Sequence, residues 1–523
     1  MKYRESQRDR DLCNRFNNDY GNKVLRKIEL KEGTLRGLSK FNIAFEYPIT
    51  AITGKNGDGK STILAIACCA YHNDKSGFKL PKRNNTYYTF SDFFIQHNSE
   101  TYPEGITILY QFAHNNWKKS ERMPTGIGLG WQRRWKKKNG RWNNYDERIE
   151  RNVVFLGIER IVPHIERSQS RSYYSAFQLG KAKGWEEDVK KDVGYVLNRR
   201  YDEFRYLEYS KYNLPIVRIN DIIYSGFNMG AGENALFEIF STIYSCGSGS
   251  LLVLDEIELG LHAEAQIRLI ERLKKVCYNT HTQIICTTHS REIFNSLPPY
   301  ARIFIEKIGD RIEITPGISS DFAFSKLAST NSSNEIEILV EDEISKTILT
   351  FALPAKIRSR VKIIIAGSVP RLIRRLTDSH NQGETHPAIA IFDGDQRVKN
   401  SQNINYAKKV EESPREDFKE WFYTHINYLP GDTWPEAWLV NSAIGKCISS
   451  LGQDLGCEPD NLKCILEQGL IAGKHNEFFE IASRLNMEPE KCLQLLAIRV
   501  IRMFSDDFKP IISHIEQVLE DNN

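Results

Sequence analysis

A glycine-rich motif is the feature of this sequence that most limits its possible folds. Residues 54–61 read GKNGDGKS and match the pattern G-x-x-x-x-G-K-[ST]. An apolar, β-like segment precedes the motif, and a helical segment, STILAIACCAYH, begins at Ser61. Glycines let the backbone wrap around phosphate groups, and the free N–H groups of a helix N-terminus attract them. A glycine-rich turn without a ligand is the alternative, but the order of strand, loop and helix favours a phosphate-binding loop.

Seven residues of this segment are predicted to bind ATP: Gly54, Asn56, Gly57, Gly59, Lys60, Ser61 and Thr62. Lys60 is expected to reach the β- and γ-phosphates, and the Ser61 hydroxyl is expected to ligate Mg²⁺. The predicted cofactors are therefore ATP and Mg²⁺, or Mn²⁺ in place of Mg²⁺.

An acidic pair follows an apolar strand later in the chain. LLVLDEI, residues 251–257, places Asp255 and Glu256 at the end of that strand. Asp255 would hold Mg²⁺ through water, and Glu256 would orient the water that attacks ATP. QIICTTH, residues 283–289, places His289 at the next strand end, where it could contact the γ-phosphate. Solvated carboxylates and a structural histidine are the alternatives, but the order of these segments after the phosphate loop favours the functional interpretation.

The length and the pattern of the chain predict its organisation. At 523 residues it is too long for one hydrophobic core, so two or three domains are expected. Strands alternate with helices, which predicts an α/β fold class with a largely parallel sheet. The predicted parts are a polar N-terminal arm (1–22, a frayed helix or a flexible segment), an ATPase domain (23–326), a linker (327–335), a smaller α/β unit (336–440) and a helical C-terminal region (441–523). Two insertions are predicted in the ATPase domain, one at about 73–150 with a hairpin signal at Asn139–Gly140 and one at about 165–215 that reads as helical and polar.

Bulk composition excludes several classes of protein. The hydrophobic content of 41% and the charged content of 26% are ordinary for a soluble globular chain. A net charge of +4 is small, so any nucleic-acid-binding surface must be local. None of the ten cysteines forms a CxxC pair, which argues against a zinc site and a disulfide framework. Without a signal-peptide core or a membrane-spanning apolar run, the chain is expected to be cytoplasmic and free of membrane.

A second set of acidic residues lies in the smaller α/β unit. Three segments, ILVED (338–342), IIIAGS (363–368) and AIFDGD (390–395), read as strands with polar ends. Because parallel strand ends converge at one sheet edge, Glu341, Asp393 and Asp395 are predicted to share a pocket. Clustered carboxylates repel one another and select hard divalent cations such as Mg²⁺ or Mn²⁺. Asp-Gly-Asp alone is also common in turns and calcium loops, but the three segments together favour a metal site.

The segment before a predicted helix at residue 231 resembles a known ATPase signature. Asn228-Met229-Gly230-Ala231-Gly232-Glu233 resembles the ABC signature, with Met-Gly-Ala-Gly-Glu in place of Leu-Ser-Gly-Gly-Gln. The resemblance implies that Gly230, Gly232 and Glu233 bind the ATP of a second subunit in a head-to-tail dimer. ELGLH, residues 258–262, resembles the D-loop of the same family. Glycine replaces the usual serine at position 230, which removes one hydroxyl contact. The residue of the Q-loop, another motif of the same family, is not assigned: Gln96, Gln111 and an acceptor outside the motif are the alternatives.

The segment from residue 334 to about 399 resembles a TOPRIM domain. An ABC ATPase followed by a TOPRIM domain is the architecture of the OLD (overcoming lysogenisation defect) family. This chain resembles that family over residues 24–310 and 334–440. The resemblance implies an ATP-dependent DNA endonuclease in prokaryotic defence against phage, within a system such as a retron that supplies partner proteins or reverse-transcribed nucleic acid. It also implies a distal carboxylate, for which Glu436 is the candidate, and a basic residue, for which Lys474 beside His475 is the candidate. Many members carry a second acid where this chain has Ser345; Asp342 or Glu343 is a possible substitute.

Two basic segments are candidates for contact with DNA. Residues 115–151 contain eleven lysines and arginines against four acidic residues. Four tryptophans are interleaved with them: Trp117, Trp131, Trp135 and Trp142. Such a segment binds phosphates and stacks on bases, or it is a hairpin whose tryptophans face the core. Helical spacing places Arg371, Arg374 and Arg375 on one face, either facing DNA or simply solvated.

The sequence leaves two classes of function open. The first is an ATP-regulated nuclease, and the second is a DNA-clamping ATPase similar to SMC proteins with a degenerate TOPRIM domain. Ser345 favours the second class, whereas the lack of a long heptad repeat disfavours it. A transport ATPase is disfavoured, because no membrane segment is predicted and the C-terminal acids have no role in transport.

Overall fold

The computed structural model describes residues 3–80, 83–95, 97, 99–100, 104–137, 142–143, 148–167, 171–309, 311–327, 335–381, 387–411 and 417–521. The chain forms two compact units, Tyr3–Ala328 and Ser329–Asn523, the second together with Met1–Lys2. The division falls inside the predicted linker 327–335, of which residues 328–334 lie outside the described residues. The Asn139–Gly140 hairpin signal also lies outside them.

The strands of the N-terminal unit form three sheets. In chain order they are β1 (Leu25–Glu32), β2 (Phe41–Ala44), β3 (Ile49–Gly54), β4 (Ile106–His114), β5 (Gly128–Lys136), β6 (Val153–Leu156), β7 (Gln178–Leu179), β8 (Glu203–Tyr209), β9 (Tyr212–Ile219), β10 (Ile222–Ser225), β11 (Leu251–Leu254), β12 (Gln283–Thr287), β13 (Arg302–Ile308) and β14 (Arg311–Pro316). The helices of this unit are α1 (Gln7–Asn17), α2 (Lys60–Cys68), α3 (Phe90–Phe93), α4 (Glu186–Leu197), α5 (Ala231–Cys246), α6 (Ala263–Thr280), α7 (Arg291–Asn295) and α8 (Ser320–Leu327).

The central sheet has six strands in the order β14-β13-β3-β12-β11-β6. All neighbours in it are parallel except the edge pair of β13 and β14. Every residue of β3, β11 and β12 is buried, as expected for apolar strands covered on both faces by helices. The α/β prediction is confirmed here, and the parallel register brings the carboxyl ends of β3, β11 and β12 to one edge.

Two antiparallel sheets account for most of the predicted insertions. One has the order β2-β1-β4-β5, and the other has the order β10-β9-β8-β7. The prediction of a helical segment at 165–215 is wrong over most of its length, because α4 is the one long helix among the residues of this range that the structure describes. The antiparallel strands β8 and β9 occupy much of the segment instead, and a two-residue turn that begins at Ser210, φ +54°, joins them.

The first 22 residues, predicted as a polar arm, contain a packed helix. α1 begins after Ser6 with a capping box formed by Ser6 and Asp9, and it buries Leu12 and Phe16. Asp9 is 1% exposed, and the Lys274 Nζ of α6 lies 2.7 Å from its Oδ1. Tyr47 also donates a hydrogen bond to Asp9 at 2.9 Å. The buried ion pair therefore fixes α1 to the rest of the N-terminal unit.

The C-terminal unit is built on a four-stranded sheet with the order β16-β15-β17-β18, in which all pairs are parallel. Its strands are β15 (Ile336–Val340), β16 (Val361–Ile365), β17 (Ala388–Phe392) and β18 (Ile426–Tyr428). Its helices are α9 (Glu343–Ala352), α10 (Ala355–Arg358), α11 (Val369–Asn381), α12 (Asn400–Val410), α13 (Phe418–Thr424), α14 (Pro435–Lys446), α15 (Ile448–Leu455), α16 (Pro459–Ala472), α17 (Glu477–Leu485), α18 (Pro489–Met503) and α19 (Lys509–Asp521).

The C-terminal region is helical, as predicted. It shares its hydrophobic core with the sheet, since Ile338 of β15 and Leu496 of α18 belong to the same buried cluster. The ten cysteines all lie within the described residues and are free thiols. Among those residues, no helix combines the length and the apolar character needed to span a bilayer.

The buried pair of Asp9 and Lys274 generates a stability prediction. Asp9→Ala leaves the Lys274 ammonium without its carboxylate, so we expect a loss of about 3 kcal/mol in the free energy of unfolding of this unit. Urea denaturation monitored by circular dichroism measures the change. Asp11→Ala is the control, because Asp11 is exposed on the same helix. Equal midpoints for the two variants would contradict an anchoring role for Asp9.

Candidate functional site

The phosphate loop connects β3 to α2, as its sequence predicts. Gly57 and Gly59 have φ values of +90° and +91°, a region that glycine enters without strain. A Cβ atom at Gly59 would lie 2.1 Å from Leu38 Cδ2, and one at Gly54 would lie 2.4 Å from the Ile305 carbonyl oxygen. The glycines are therefore required both by the turn and by its close packing.

The Lys60 ammonium lies inside its own loop. Its Nζ donates hydrogen bonds to the carbonyl oxygens of Gly54 at 2.7 Å and Lys55 at 2.9 Å. Burial lowers the pKa of Lys60, while the nearby carboxylates of Asp58 and Asp255 act in the opposite direction. Of the other predicted contacts, Asn56 and Ser61 are exposed and Thr62 is buried. A phosphate group in this loop would replace carbonyl oxygens as the acceptor for Lys60.

Asp255 is joined to the phosphate loop and to the neighbouring strand. Ser61 Oγ donates to Asp255 Oδ2 at 3.2 Å, and Thr287 Oγ1 donates to Asp255 Oδ1 at 2.5 Å. The Glu256 backbone N–H donates to the same Thr287 oxygen at 2.8 Å. Ser61 and Asp255, the predicted Mg²⁺ ligands, thus lie together. Sequence reasoning missed Thr287, although its place at the end of β12 is a usable signal.

Arg160 is a second residue that sequence reasoning missed. It is buried, and its Nη1 donates to the carbonyl oxygens of Gly157 at 3.0 Å and Asp255 at 2.6 Å. Its Nη2 donates to the Glu256 carbonyl oxygen. Glu256 has φ +49°, an uncommon conformation for a residue with a side chain. Arg160 therefore holds the backbone of the acidic pair, and no motif in the sequence identifies it.

His289 follows β12 and its side chain is exposed. Its backbone N–H donates to Glu258 Oε1 at 2.6 Å, so this strand end is linked to the segment that resembles a D-loop. Contact of the His289 ring with a γ-phosphate stays a prediction.

The segment that resembles the ABC signature packs directly on the D-loop-like segment. Gly230 caps α5, and a Cβ atom at Gly232 would lie 2.1 Å from the Gly260 carbonyl oxygen. Gly260 itself has φ +79°, and a Cβ atom there would lie 2.8 Å from the Gly232 nitrogen. The two segments therefore touch through their backbones, which only glycine permits at both positions.

Glu233, predicted as an ATP contact, lies in a buried environment. Its carboxylate is buried and Oε1 accepts hydrogen bonds from the hydroxyls of Tyr201 at 2.6 Å and Tyr224 at 2.8 Å. Burial and this carboxylate raise the pKa of Tyr224 to about 12. The side chain fixes the start of α5 instead of presenting a free carboxylate. Of the Q-loop candidates, Gln111 lies on β4 and Gln96 lies outside the described residues.

In the C-terminal unit, acidic residues gather where β15 and β17 end. Glu341 and Asp342 follow β15, and Asp393 and Asp395 follow β17, which is its neighbour in the sheet. Asp393 is 4% exposed, and Ser345 Oγ donates to its Oδ1 at 2.8 Å. The predicted grouping of Glu341, Asp393 and Asp395 thus has a common location, and the Ser345 hydroxyl contacts Asp393 there.

The electrostatics of this group favour a cation. Burial raises the pKa of Asp393 to about 7, opposed by the Ser345 hydrogen bond and assisted by Asp342, Glu341 and Asp395. Burial also raises the pKa of Glu341, with Asp342 and Asp395 adding to the effect. The neighbouring carboxylates therefore destabilise the charged forms of Asp393 and Glu341. Oxygen ligands in such a group fit Mg²⁺ or Mn²⁺.

Two downstream candidates lie beside these acids. Lys474 Nζ lies 3.4 Å from Asp395 Oδ2, and His475 Nδ1 lies 2.8 Å from Glu436 Oε1. Glu436 is 1% exposed, and its Oε2 has no hydrogen-bond partner among the described residues. Burial raises the pKa of Glu436 as well. A buried carboxylate oxygen without a partner fits a site that a divalent cation would complete.

The basic segment 115–151 divides between core and surface. Trp117 donates from Nε1 to the Gly128 carbonyl oxygen at 3.0 Å, and Trp142 stacks on Phe90 with ring centroids 3.7 Å apart. Trp131 is 45% exposed. Three of its arginines are buried with hydrogen bonds to the protein backbone: Arg134, Arg148 and Arg151. The hairpin alternative therefore applies to Trp117 and Trp142, whereas the Trp131 side chain is exposed.

Arg371, Arg374 and Arg375 are exposed on one face of α11, whose opposite face buries Leu372 and Leu376. Arg375 pairs with Glu337 at 3.2 Å. This arrangement is compatible with either a solvated helix face or contact with a phosphate backbone.

Comparison with known families identifies the class of the N-terminal unit. Residues 33–216 match a family described as "AAA domain", and residues 220–295 match one described as "AAA domain, putative AbiEii toxin, Type IV TA system". Together with the phosphate-loop geometry, these matches show that the chain contains a P-loop ATPase domain of the AAA type. No curated protein matches the sequence.

Solved structures give weaker similarities. The SMC head domain from Thermotoga maritima is 15% identical, with a TM-score of 0.34, over 56% of this chain and 98% of that chain. An SmcHead bound to the C-winged helix domain of ScpA is 14% identical, with a TM-score of 0.35, over 56% of this chain and 97% of that one. A third structure is the Smc head domain with an extended coiled coil, bound to the C-terminal domain of ScpA derived from Pyrococcus furiosus. It is 14% identical, with a TM-score of 0.35, over 58% of this chain and 99% of that chain.

The contact between Gly232 and Gly260 predicts unequal effects of two substitutions. Gly232→Ala forces a methyl group into the Gly260 carbonyl oxygen, and we expect it to cost about 1–3 kcal/mol of stability. Gly230→Ser is the matched control, because the position has φ −64° and no neighbour within 4 Å, and serine is a preferred N-cap residue. Thermal unfolding measures both variants. The backbone contact is contradicted if the two melt at the same temperature.

The raised pKa of Asp393 predicts a pH dependence of stability. The carboxyl has a pKa near 3.8 when unfolded and about 7 when folded, so the folded chain binds more protons between these values. Stability without divalent cations is therefore lost as the pH rises from about 4 to about 7. Asp393→Asn removes this loss. At pH 8 in the presence of a chelator, the variant should have a free energy of unfolding a few kcal/mol higher than the wild type, which is about the free energy that corresponds to the pKa shift. Melting temperatures at pH 4 and pH 8 test this, with exposed Asp432→Asn as control.

Proposed function

We propose that this chain is an ATP-binding and ATP-hydrolysing, divalent-cation-dependent DNA endonuclease of the OLD type, with an ABC-class ATPase module followed by a TOPRIM domain. The observation that carries the proposal is the group of carboxylates at the ends of the adjacent parallel strands β15 and β17. Burial and neighbouring carboxylates raise the pKa of Asp393 and Glu341, and acids perturbed in this way are typical of functional sites. The AAA-type domain earlier in the chain supplies the nucleotide-dependent half.

In the ATPase half, Lys60 would exchange its carbonyl partners for the β- and γ-phosphates. Ser61 and Asp255, already within hydrogen-bonding distance of each other, would hold Mg²⁺ directly and through water. Glu256, whose backbone Arg160 and Thr287 fix, would orient the attacking water.

The composite ATP site would require a second copy of the chain. Gly230 and Gly232 lie at the N-terminus of α5, where free N–H groups and the helix dipole favour a phosphate. In a head-to-tail dimer these groups would contact the ATP held by the partner's phosphate loop. Higher homo-oligomers can be built on the same dimer.

In the nuclease half, Glu341, Asp393 and Asp395 would hold Mg²⁺ or Mn²⁺. The bound cation would supply an activated water and neutralise charge on the leaving oxygen of a phosphodiester. Ser345 would orient Asp393, and Lys474, beside Asp395, would contact the scissile phosphate. Trp131 and the arginines of α11 would contact DNA along its backbone and unpaired bases.

Ser345 favours a second candidate function. A hydroxyl at this position removes one negative charge from the group, as in a DNA-clamping ATPase with a non-catalytic TOPRIM domain. Calorimetric titration of Mg²⁺ and Mn²⁺ separates the two functions, because a clamp of this kind would bind neither ion in the C-terminal unit.

The OLD resemblance also suggests a setting. We propose a cytoplasmic role in prokaryotic defence against phage, in which partner proteins or reverse-transcribed nucleic acid of a retron-like system regulate cleavage. Such partners would act on the nuclease through the ATP-bound state of the chain.

The nuclease proposal predicts the effect of one substitution. Asp393→Ala should reduce cleavage of supercoiled plasmid in Mg²⁺ or Mn²⁺ at least about 100-fold, because a lost cation ligand removes several kcal/mol of transition-state stabilisation. Agarose gels with and without ATP measure nicking and linearisation. Asp432→Ala, on an exposed loop of the same unit, should cleave normally. Cleavage that persists in the Asp393 variant would discredit the assignment.

The ATPase proposal predicts a trapped dimer. Glu256→Gln should slow ATP hydrolysis at least about 100-fold while binding persists, since only water activation is lost. ATP should then convert the variant to a dimer, which light scattering after size exclusion detects. Glu264→Gln, exposed on α6, is the control and should hydrolyse ATP normally. A Glu256 variant that binds ATP and stays monomeric would argue against the head-to-tail arrangement.

A further inference from the structure

A tryptophan ring contacts the ammonium group of Lys474 beside the predicted nuclease acids. Lys474 Nζ lies 3.4 Å from Asp395 Oδ2 and 5.6 Å from the centre of the Trp434 ring. Trp434 Nε1 in turn donates a hydrogen bond to Glu477 Oε1 at 2.5 Å. The ammonium therefore has a carboxylate and an aromatic ring as neighbours, and a second carboxylate binds that ring.

The loop that carries Lys474 is held in an uncommon conformation. Residues 473–476 connect α16 to α17, and His475 within them has φ +70°. A left-handed residue with a side chain costs free energy unless contacts around it maintain it. His475 Nδ1 lies 2.8 Å from Glu436 Oε1 in the first turn of α14, and Trp434 is the residue directly before that helix. The loop is thus fixed to the segment that begins α14.

Glu477 determines the orientation of the Trp434 ring. Glu477 is 0% exposed, and its Oε2 has no hydrogen-bond partner among the described residues. A buried carboxylate costs free energy without donors, so the indole N–H is a donor that Glu477 requires. A hydrogen bond to a charged acceptor is also stronger than one between neutral groups. Rotation of the ring away from Lys474 would break this bond.

The ring also stabilises the charged head group of Lys474. A cation within about 6 Å of a ring centre is attracted by the electron-rich face, and tryptophan attracts it more strongly than tyrosine or phenylalanine does. The Lys474 side chain is 44% exposed, and a lysine side chain has many rotamers when nothing holds it. Contacts with both Asp395 and Trp434 restrict that freedom.

The charge of Lys474 acts on more than one of the predicted nuclease acids. It lies beside Asp395, and it also opposes the effect of burial, which raises the pKa of Glu341. An ammonium group in this place would be close to a phosphodiester bound at the same acids. The position of the Lys474 head group therefore matters to the whole group of carboxylates.

We propose that Trp434 and Glu477 are positioning residues that hold the Lys474 ammonium at the predicted nuclease acids. Glu477 orients the indole through its N–H, and the face of the indole holds the lysine head group. The proposal deepens the proposed nuclease function and rests on it for the role of Lys474 at the scissile phosphate. Trp434 and Glu477 act through Lys474 and require no contact with the substrate.

Two substitutions of Trp434 isolate the effect of the ring face. Trp434→Phe and Trp434→Leu both remove the N–H that Glu477 accepts, whereas only Trp434→Leu also removes the aromatic face. Trp434→Leu should cleave supercoiled plasmid roughly three- to tenfold more slowly than Trp434→Phe, about the factor that a cation–π contact contributes. The difference should lie in kcat, with KM similar in the two variants, because Lys474 would act on the transition state.

Chemical labelling tests the same contact without relying on activity. Full-length protein without metal or nucleotide is treated briefly with acetic anhydride, and mass spectrometry measures the acetylation rate of each lysine. Lys474 should label about threefold faster in Trp434→Leu than in Trp434→Phe, because a cation–π contact shifts the balance between held and released head groups by roughly that factor. Lys463, whose side chain is 53% exposed, is the internal reference and should label equally in both variants.

Two further sets of variants separate positioning from general stability. Glu477→Gln keeps an oxygen that accepts the indole N–H, so it should cleave faster than Glu477→Leu, which has no acceptor. Trp438→Leu is the matched control, because Trp438 lies on α14 and packs against Phe504 and Phe508. It should lower the melting temperature while Lys474 labels at the wild-type rate. Equal labelling of Lys474 in Trp434→Phe and Trp434→Leu overturns the proposal, as does equal cleavage by these two variants.

Failure of the nuclease proposal gives a different result. If the wild type cleaves no plasmid while Lys474 labels faster in Trp434→Leu than in Trp434→Phe, the contact that holds Lys474 stands and the nuclease assignment falls. If the wild type cleaves plasmid and the two Trp434 variants label and cleave alike, the nuclease stands and the positioning role falls.

Discussion

Crowding of carboxylates at one edge of a parallel sheet is the constraint on which the candidate site of the C-terminal unit depends. Parallel β15 and β17 end side by side, so the chain cannot avoid bringing Glu341, Asp342, Asp393 and Asp395 together. Burial raises the pKa of Asp393 to about 7, and a single hydroxyl, that of Ser345, donates to it. Such a group of carboxylates destabilises the folded unit unless a positive charge binds beside it. Lys474 supplies part of that charge to Asp395, and a divalent cation would supply the rest.

The sequence predicted those parts of the fold and site that depend on local pattern. Spacing alone located the phosphate loop, and apolar strands with acidic ends located Asp255, Glu341 and Asp393, because the carboxyl ends of parallel strands share one edge. Thr287 and Arg160 escaped prediction because their roles arise from packing between segments far apart in sequence. Arg160 lies 95 residues before Asp255, and no local pattern connects the two. The environment of Glu233 also escaped prediction, because Tyr201 and Tyr224 from distant parts of the sequence donate hydrogen bonds to its carboxylate.

Polar composition was a poor guide in the insertions. Residues 203–215 carry many charged and aromatic side chains, which suggested a polar helical segment, yet they belong to two paired antiparallel strands, β8 and β9. In the segment 115–151 the count of basic residues overstated the exposed charge. Arg134, Arg148 and Arg151 donate to backbone carbonyls inside the unit, a use of the guanidinium that composition cannot reveal. Sequence pattern predicts burial poorly for arginine and tryptophan, and burial decides how much of the segment 115–151 is exposed.

The backbone contact between Gly232 and Gly260 has a mechanical consequence. The loop before α5 and the loop after β11 are in direct backbone contact, with no side chain between them. No side-chain rearrangement can therefore accommodate a displacement of one loop against the other. The second loop is tied to His289 through Glu258, and thus to the strand that carries Thr287. A shift of α5 by a fraction of an ångström would therefore displace the loop after β11. The acidic residues at the end of β11 would move with that loop.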